Sequence, residues 1–247
     1  MEKNNYLKKI QQNGFVIVRD IVKKKKIHKI LSELPNVENK ASKLKRKYYN
    51  KTHDGRGNTI HDINEFIKSG EIIKLSKNKK IIDLVQSILN DKPILRNIEF
   101  FLKPKKNKMI TPYHQDNFYW NILGANAVNV WIACSSASKK NGGICYLKKS
   151  HKIGTIKHKI SYVKGTSLKI PDNVLSKLKF KKFYPKVQMG DLIVHNCEVI
   201  HGSSENKSNK DRIGLVFSYR GSRSKFDRFK IKKYKDILKK NIKKIYN

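Results

Sequence analysis

The apolar positions in the N-terminal third of the chain recur with the spacing of helices. Apolar residues three and four positions apart predict a helix over residues 23–34, which we expect to end at Pro35. The same spacing predicts an amphipathic helix over residues 79–90 and a shorter helix over residues 6–12. Residues 37–64 are polar and interrupted by glycines, and we interpret them as a loop-rich region.

The pattern changes to that of strands from residue 94 onwards. Residues 213–219 alternate small or polar residues with large apolar ones, as a half-buried strand does. Residues 127–133 form an apolar stretch, and residues 192–195 lead as a further short strand into a turn. One more strand is predicted early in the chain, over residues 15–18.

Length and composition fit one domain. A chain of 247 residues with 38% hydrophobic residues has enough apolar material for the core of a single all-β barrel. We predict one domain over residues 1–247, with a helical and loop region over 1–93, a core of strands over about 94–220 and a basic helix over about 227–247. That last helix carries a narrow apolar stripe, which we expect to pack against the barrel or a second subunit; a membrane surface is the alternative.

The segment T-P-Y-H-Q-D-N-F-Y-W carries the first candidate chemistry. His114 and Asp116 lie two residues apart, so on a strand their side chains would project from one face and Gln115 from the other. A second histidine from another strand, for which His201 is the candidate, would complete a set of ligands. Two histidines and one carboxylate on one face of Fe(II) leave open positions for a cosubstrate and O2.

A basic residue follows the second histidine at a distance that suits a cosubstrate site. Arg212 comes eleven residues after His201, across a bridge rich in glycine, serine and asparagine. Because a strand is predicted to begin next, we expect a hairpin that brings Arg212 close to His201. A fixed guanidinium suits a bidentate carboxylate partner, such as the distal carboxylate of a 2-oxoacid.

These residues together resemble the phytanoyl-CoA dioxygenase family of Fe(II)/2-oxoglutarate oxygenases. The family pattern is H-x-D, a later H-x-S, and an arginine eleven residues after that histidine. The positions that match it are His114, Asp116, His201, Ser203 and Arg212. The resemblance extends over roughly residues 14–219 and includes an N-G-G segment at 141–143 that leads to Ser150 and His151, although Lys149 replaces the usual glycine.

The resemblance implies a fold and a set of site residues. The expected fold is mainly β, a double-stranded β-helix (a jelly roll, cupin-like) of about eight strands in two sheets with flanking N-terminal helices. Fe(II) would be held by the two histidines and the aspartate, and Arg212 with Ser203 would clamp the C5 carboxylate of 2-oxoglutarate. Trp131 and Asn97 stand where the family often contacts the cosubstrate; a core position for Trp131 and a solvated one for Asn97 are the alternatives.

The resemblance also implies an activity. It predicts an Fe(II)- and 2-oxoglutarate-dependent dioxygenase that uses O2 to hydroxylate a small-molecule substrate and releases succinate and CO2. Asp116 favours hydroxylation, because a small residue replaces this carboxylate in related halogenases. Phe118, Tyr119 and Trp120 either line a substrate pocket or pack under a loop. The sequence specifies neither the substrate nor the oligomeric state.

The charge of the chain leaves two other classes of function open. The formal net charge is +37, with 56 basic and 19 acidic residues, which invites a nucleic-acid interpretation. However, 48 of the basic residues are lysines, whose codons are A/T-rich, so we expect solvated lysine and at most non-specific polyanion binding. A jelly-roll binding protein without turnover is the other alternative, and the complete ligand set argues against it.

Cysteine usage and the absence of apolar runs indicate a compartment. The three cysteines, Cys134, Cys145 and Cys197, are odd in number and lack C-x-x-C spacing, which fits a reducing environment. The first nine residues contain no apolar core of a secretory signal, and no apolar run approaches the roughly 20 residues of a membrane helix. We therefore expect a soluble, cytoplasmic protein.

Five of the six other histidines call for an interpretation, and none of these five is assigned as a ligand. We interpret His53 and His61 as surface histidines, with a lid over the site as the alternative use of their loop. His151 is expected to be structural, and His158 is likewise given no ligand role. His195 lies one strand length before His201 and is expected to be a core or substrate-side residue.

Overall fold

A computed structural model of the chain describes residues 2–44, 48–51, 57–163 and 166–246. The helices are α1 (Glu2–Asn13), α2 (Lys24–Ser42), α3 (Ile63–Phe66), α4 (Glu71–Ser76), α5 (Lys79–Leu89), α6 (Asn117–Trp120), α7 (Asp172–Leu175) and α8 (Arg228–Tyr246). The strands are β1 (Phe15–Val18), β2 (Tyr49–Lys51), β3 (Gly57–Ile60), β4 (Pro93–Lys103), β5 (Thr111–His114), β6 (Ala127–Ala133), β7 (Ile144–Leu147), β8 (Lys159–Val163), β9 (Thr166–Lys169), β10 (Lys182–Phe183), β11 (Leu192–Asn196), β12 (His201–Ser203) and β13 (Arg212–Gly221).

Eight of the strands form a jelly roll of two antiparallel sheets. The larger sheet has the order β1-β11-β6-β13-β4-β3-β2 and the smaller one the order β10-β7-β12-β5. From β4 to β7 and again from β10 to β13, consecutive strands alternate between the two sheets, apart from β8 and β9, which pair only with each other. The prediction of a jelly roll with flanking helices is confirmed, and β1, β2 and β3 extend the larger sheet at its two edges.

The larger sheet is covered on both faces. Val130 and Ile132 of β6 belong to the main apolar core, which α1, α2, α4 and α5 also form. Trp131 and Ala133, at the alternate positions, pack instead with Tyr146 of the smaller sheet. Since side chains alternate along a strand and both faces are covered, the uniform apolar run of β6 follows from its position.

Helix α2 extends beyond the end that the sequence predicted. Pro35 lies inside the helix, which continues to Ser42. Val37 and Ala41 prolong the buried face begun by Leu34, and each is only 1% exposed. Pro35 itself is on the exposed side. The lost hydrogen bond of the proline is therefore outweighed by the burial of the second half of the helix.

The loop-rich interpretation of residues 37–64 is wrong in several parts. The end of α2, two strands and the start of α3 occupy much of this segment. Strand β3 pairs with β4 through Thr59 and Ile60, so the segment contributes to the larger sheet. Residues 45–47 and 52–56, including His53, lie outside the described residues.

The predicted hairpin between His201 and Arg212 is also wrong. His201 begins β12 in the smaller sheet, whereas Arg212 begins β13 in the larger one. The connection crosses from sheet to sheet around the buried amide of Asn206, which donates to the carbonyl oxygens of Lys103 and Lys210 at 3.0 and 2.8 Å. The two residues still approach one cavity, because the strands that carry them face each other.

The C-terminal helix α8 packs on α6 and β8. Tyr234 meets the ring of Tyr119 edge to face at 5.6 Å between centroids, next to the segment that carries Asp116. The helix runs from Arg228 to Tyr246, where the sequence predicts about 227–247, and the jelly-roll strands run from Pro93 to Gly221, where it predicts about 94–220. That the whole chain is one domain stays a prediction. Within the described residues, every helix is too short or too polar to cross a bilayer.

Candidate metal centre

The three predicted ligands meet between the sheets. His114 and His201 are cross-strand partners on β5 and β12, with ring centroids 4.3 Å apart. The Nε2 atoms of His114 and His201 lie 3.7 and 3.9 Å from Oδ1 of Asp116. Ligand atoms of all three buried residues fall within 4.8 Å of one another, so this group could hold a metal ion.

The carboxylate reaches this position by a turn and not along a strand, as the sequence interpretation had it. Strand β5 ends at His114, and Asp116 has helical backbone angles (φ −62°, ψ −36°) as the residue that precedes α6. Gln115 between them is fully buried. Its amide nitrogen donates to the carbonyl oxygens of Gly154 and Glu198 at 2.8 and 2.7 Å. These bonds hold the turn that aims Asp116 at the histidines.

Backbone contacts fix both histidines in the tautomer that binds metals. Nδ1 of His114 lies 2.8 Å from the carbonyl oxygen of Pro112, and Nδ1 of His201 lies 3.0 Å from that of Val199. A proton on each Nδ1 leaves the lone pair of Nε2 directed towards Asp116. Burial, helped by the neighbouring His201, lowers the pKa of His114 to about 4, and burial also lowers the pKa of His201. Both rings are therefore neutral near pH 7.

The second oxygen of the carboxylate is held from the larger sheet. Oδ2 of Asp116 accepts hydrogen bonds from Nδ2 of Asn129 at 2.9 Å and from Nε2 of His195 at 3.2 Å. Nδ1 of His195 in turn accepts from the hydroxyl of Tyr146 at 2.9 Å, and Ser218 donates to the amide oxygen of Asn129. Burial raises the pKa of Asp116, but the surrounding histidines outweigh it and hold that pKa well below its usual range.

The sequence indicated only part of this network. His195 was expected in the core or near the substrate, and it is 2% exposed and bonded to Asp116. Asn129 was not singled out, because an asparagine within an apolar run gives no sign of which carboxylate it will meet. The pairing of β6 with β11 places Asn129 directly beside His195.

One cavity extends from the ligand group to the predicted cosubstrate residues. Trp131, Ser203 and Arg212 line it together with the ligands. Much of the remaining wall is apolar; the residues concerned are Phe101, Ile144 and Val216. The structure thus brings six of the seven predicted site residues to one space, and Asn97 is the exception.

Arg212 lies in the wall of this cavity with an unused donor. It is 4% exposed, and its Nη1 donates to the carbonyl oxygen of Phe101 at 3.2 Å. Its Nε is buried and has no acceptor among the described residues. Burial lowers the pKa of Arg212 to about 10, which still leaves it charged at neutral pH. A buried cation with an orphaned N–H group fits an anionic ligand such as a carboxylate.

Lys103 is a second buried cation at the same end. It is 3% exposed, and its Nζ donates to Oγ of Ser203 at 2.7 Å and to the carbonyl oxygen of Ser204 at 2.6 Å. Burial and the charge of Arg212 lower the pKa of Lys103 well below its usual value. No sequence signal singled out this lysine, because its burial depends on the loop after β12.

Asn97 and His61 are placed differently from expectation. Asn97 is outside the cavity lining, and Glu99, two residues further along the same face of β4, lines it instead. Oε1 of Glu99 lies 2.5 Å from Nδ1 of His61, whose side chain is 21% exposed. Burial lowers the pKa of His61, but Glu99 outweighs this and raises it overall. The surface-histidine interpretation of His61 is wrong, because β3 adds to the sheet and brings its end beside β4.

The remaining candidates have packing roles. His158 accepts a hydrogen bond on Nε2 from the backbone N–H of Gln115 at 3.0 Å and stacks on Phe118. His151 contacts the carbonyl oxygen of Gln11 at 3.0 Å. Phe118, Tyr119 and Trp120 are absent from the described cavity lining, and Trp120 lies under the guanidinium of Arg96 at 4.8 Å. Of the two interpretations of this aromatic run, the geometry favours packing.

Comparison with known proteins agrees with this geometry. The sequence profile described as "Phytanoyl-CoA dioxygenase (PhyH)" matches residues 10–214, well over half of the chain. The chain belongs to the phytanoyl-CoA dioxygenase family. It is similar to phytanoyl-CoA dioxygenase 1 of Oryza sativa subsp. japonica, at 27% identity over 64% of this chain and 54% of that protein. It is also similar to phytanoyl-CoA dioxygenase domain-containing protein 1 of Danio rerio, at 26% identity over 50% of this chain and 43% of that one.

The chain spans about half the length of these curated relatives. Solved structures share the fold over more of it. EctD from S. alaskensis in its apo form superposes with a TM-score of 0.75 at 16% identity, over 90% of this chain and 78% of that one. The epimerase SnoN was solved in complex with Fe3+, alpha ketoglutarate and nogalamycin RO. It superposes with a TM-score of 0.71 at 14% identity, over 91% of this chain and 86% of that one. At such identities the likeness concerns the fold.

We expect Asn129→Ala to weaken metal binding about tenfold to hundredfold, because Asp116 loses the amide that holds its second oxygen. The dissociation constant for Fe(II) would be measured anaerobically by competition with a chelator. Asn173→Ala, at an exposed position, is the matched control and should bind Fe(II) like the wild type. Equal affinity of Asn129→Ala and this control would exclude a role for Asn129 in holding the ligand.

Proposed function

We propose that the protein is an Fe(II)- and 2-oxoglutarate-dependent dioxygenase that hydroxylates a small-molecule substrate and releases succinate and CO2. One observation carries the proposal. A single cavity contains two neutral histidines and a carboxylate at one place, and a buried guanidinium with an unsatisfied N–H group at another. Either feature alone occurs for structural reasons; both in one cavity fit a metal and an anionic cosubstrate.

The donor set suits Fe(II). His114 and His201 present neutral imidazole nitrogens, and Asp116 presents an ionised oxygen, which together leave part of the coordination sphere open. Asn129 and His195 hold the other oxygen of Asp116, so the carboxylate keeps one orientation with or without a metal.

The opposite residues suit 2-oxoglutarate. Arg212 would receive its C5 carboxylate on the orphaned Nε, with the hydroxyl of Ser203 as a further donor. Trp131 and Val216 form apolar walls along the space between, which would exclude water from the bound chain. When bound, iron, 2-oxoglutarate and O2 supply the oxidising equivalents for hydroxylation of the substrate.

The protein surface adds no second function to this proposal. We infer that the excess of lysine is mainly solvated, so that any association with nucleic acid is non-specific and falls steeply with salt. We further propose a cytoplasmic location, where 2-oxoglutarate and reduced iron are at hand. The three cysteines are all buried and unpaired, as a reducing compartment would keep them.

The proposed activity is tested by succinate formation. Purified protein with Fe(II), ascorbate, 2-oxoglutarate and O2 should form succinate even without its substrate, through uncoupled turnover. His114→Ala should abolish succinate formation, because the two remaining ligands are too few to hold the metal. His28→Ala, which removes an exposed histidine, should leave it unchanged. Folded wild-type protein that forms no succinate, or His114→Ala that forms as much, would refute the proposal.

Arg212→Gln should raise the 2-oxoglutarate concentration needed for half-maximal succinate formation by about tenfold to hundredfold, since a charge-assisted hydrogen bond is lost. Fe(II) affinity should stay within a factor of about two, because Arg212 touches none of the ligands. Arg228→Gln, at an exposed arginine, controls for the change of net charge. An unchanged requirement for 2-oxoglutarate would remove Arg212 from the cosubstrate site.

A further inference from the structure

We propose that Lys103 is a positioning residue of the anion site, which turns the Ser203 hydroxyl into the cavity as a donor and makes the site selective for a dianionic 2-oxoacid. The inference rests on the proposed function and extends it to a residue outside the predicted site. It concerns the choice between 2-oxoacids with and without a distal carboxylate.

The direction of the Ser203 hydroxyl follows from donor and acceptor chemistry. A lysine ammonium carries three donors and no acceptor, and an anion bound at this site would favour that charged form against the opposing effects of burial and Arg212. Because Nζ of Lys103 lies 2.7 Å from Oγ of Ser203, the serine oxygen must be the acceptor in this bond. The hydroxyl proton is therefore free to be donated elsewhere, and Ser203 lines the cavity beside Arg212. Without the lysine, the hydroxyl could rotate and accept from other groups.

The two cations are paired across the sheet. Lys103, the last residue of β4, is the register partner of Arg212, the first residue of β13. Like charges directly opposite on adjacent strands destabilise a sheet, and buried charges without a counterion do so more strongly. Among the described residues, no carboxylate influences the pKa of either side chain. The arrangement is stabilised when an anion enters between the two cations and the serine.

The chain makes room for the lysine. Gly142 has φ +71°, and a Cβ there would overlap Cδ of Lys103 and lie 2.7 Å from the carbonyl oxygen of Ser204. The carbonyl of Ser204 is also the second acceptor of the ammonium. Gly142 of the N-G-G segment therefore leaves the space through which the aliphatic part of the Lys103 side chain reaches the anion site.

Selectivity follows from the number of charges. The C5 carboxylate of 2-oxoglutarate would meet the guanidinium of Arg212 and the Ser203 hydroxyl that Lys103 orients, whereas the methyl end of 2-oxobutyrate would leave both groups unsatisfied in a buried place. Removal of Lys103 should therefore weaken the binding of 2-oxoglutarate far more than the binding of 2-oxobutyrate. A purely structural lysine would instead affect both 2-oxoacids alike.

The test measures binding of 2-oxoglutarate and 2-oxobutyrate, by calorimetry to metal-free protein and by absorbance to anaerobic Fe(II) protein. The preference for 2-oxoglutarate should fall about tenfold or more in Lys103→Met and stay unchanged in Lys108→Met, which removes an exposed lysine of the same strand-end segment. The proposal would be overturned if Lys103→Met weakened the binding of both 2-oxoacids by the same factor. It would also be overturned if the variant bound both as tightly as the wild type does.

Coupling to the serine gives an independent check. Ser203→Ala should lower the same preference by about fivefold in the wild-type background and by less than twofold in the Lys103→Met background, because the two residues act as one unit. If Lys103→Met does not fold, Ser203→Ala alone decides, and an unchanged preference overturns the proposal. Wild-type protein that binds no 2-oxoglutarate would contradict the proposed function itself, whereas normal binding with unaltered selectivity in the variants contradicts only the role of Lys103.

Discussion

The burial of one carboxylate is the constraint on which the rest of the site depends. Asp116 loses its hydration between the two sheets, and polar groups from both sheets take the place of the lost water. The smaller sheet supplies the Nε2 atoms of His114 and His201, and the larger sheet supplies hydrogen bonds from Asn129 and His195. An ionised carboxylate at this depth is stable only while the two sheets keep their spacing. The jelly roll and the candidate metal centre are therefore one structural unit.

The opposite end of the cavity contains buried positive charge. Arg212 and Lys103 are buried basic residues for which the described part of the chain provides no counterion, and within that part the Nε of Arg212 has no acceptor. Asp116 has no influence on the pKa of either residue, so the two sets of charges do not neutralise each other directly. A ligand with a metal-binding head and an anionic tail would satisfy both ends at once, which is the chemical description of 2-oxoglutarate.

The sequence predicted what short motifs and strand periodicity can encode. His114, Asp116 and His201 could be selected because their types and spacing fit a ligand set, and the alternation of the strands fitted a jelly roll. Contacts between distant segments were not predictable. Whether Pro35 ends a helix depends on the core that the following turn can reach, and the burial of Lys103 depends on a loop a hundred residues later. Local pattern contains neither fact.

An anaerobic titration of the metal-free protein with Fe(II) and then 2-oxoglutarate tests the central claim most directly. The account predicts a visible charge-transfer band that appears only when both are present, because one cavity places the metal and the 2-oxoacid in contact. The band should be absent in His114→Ala and in His201→Ala. A folded wild-type protein that binds Fe(II) but develops no band at saturating 2-oxoglutarate would contradict the account.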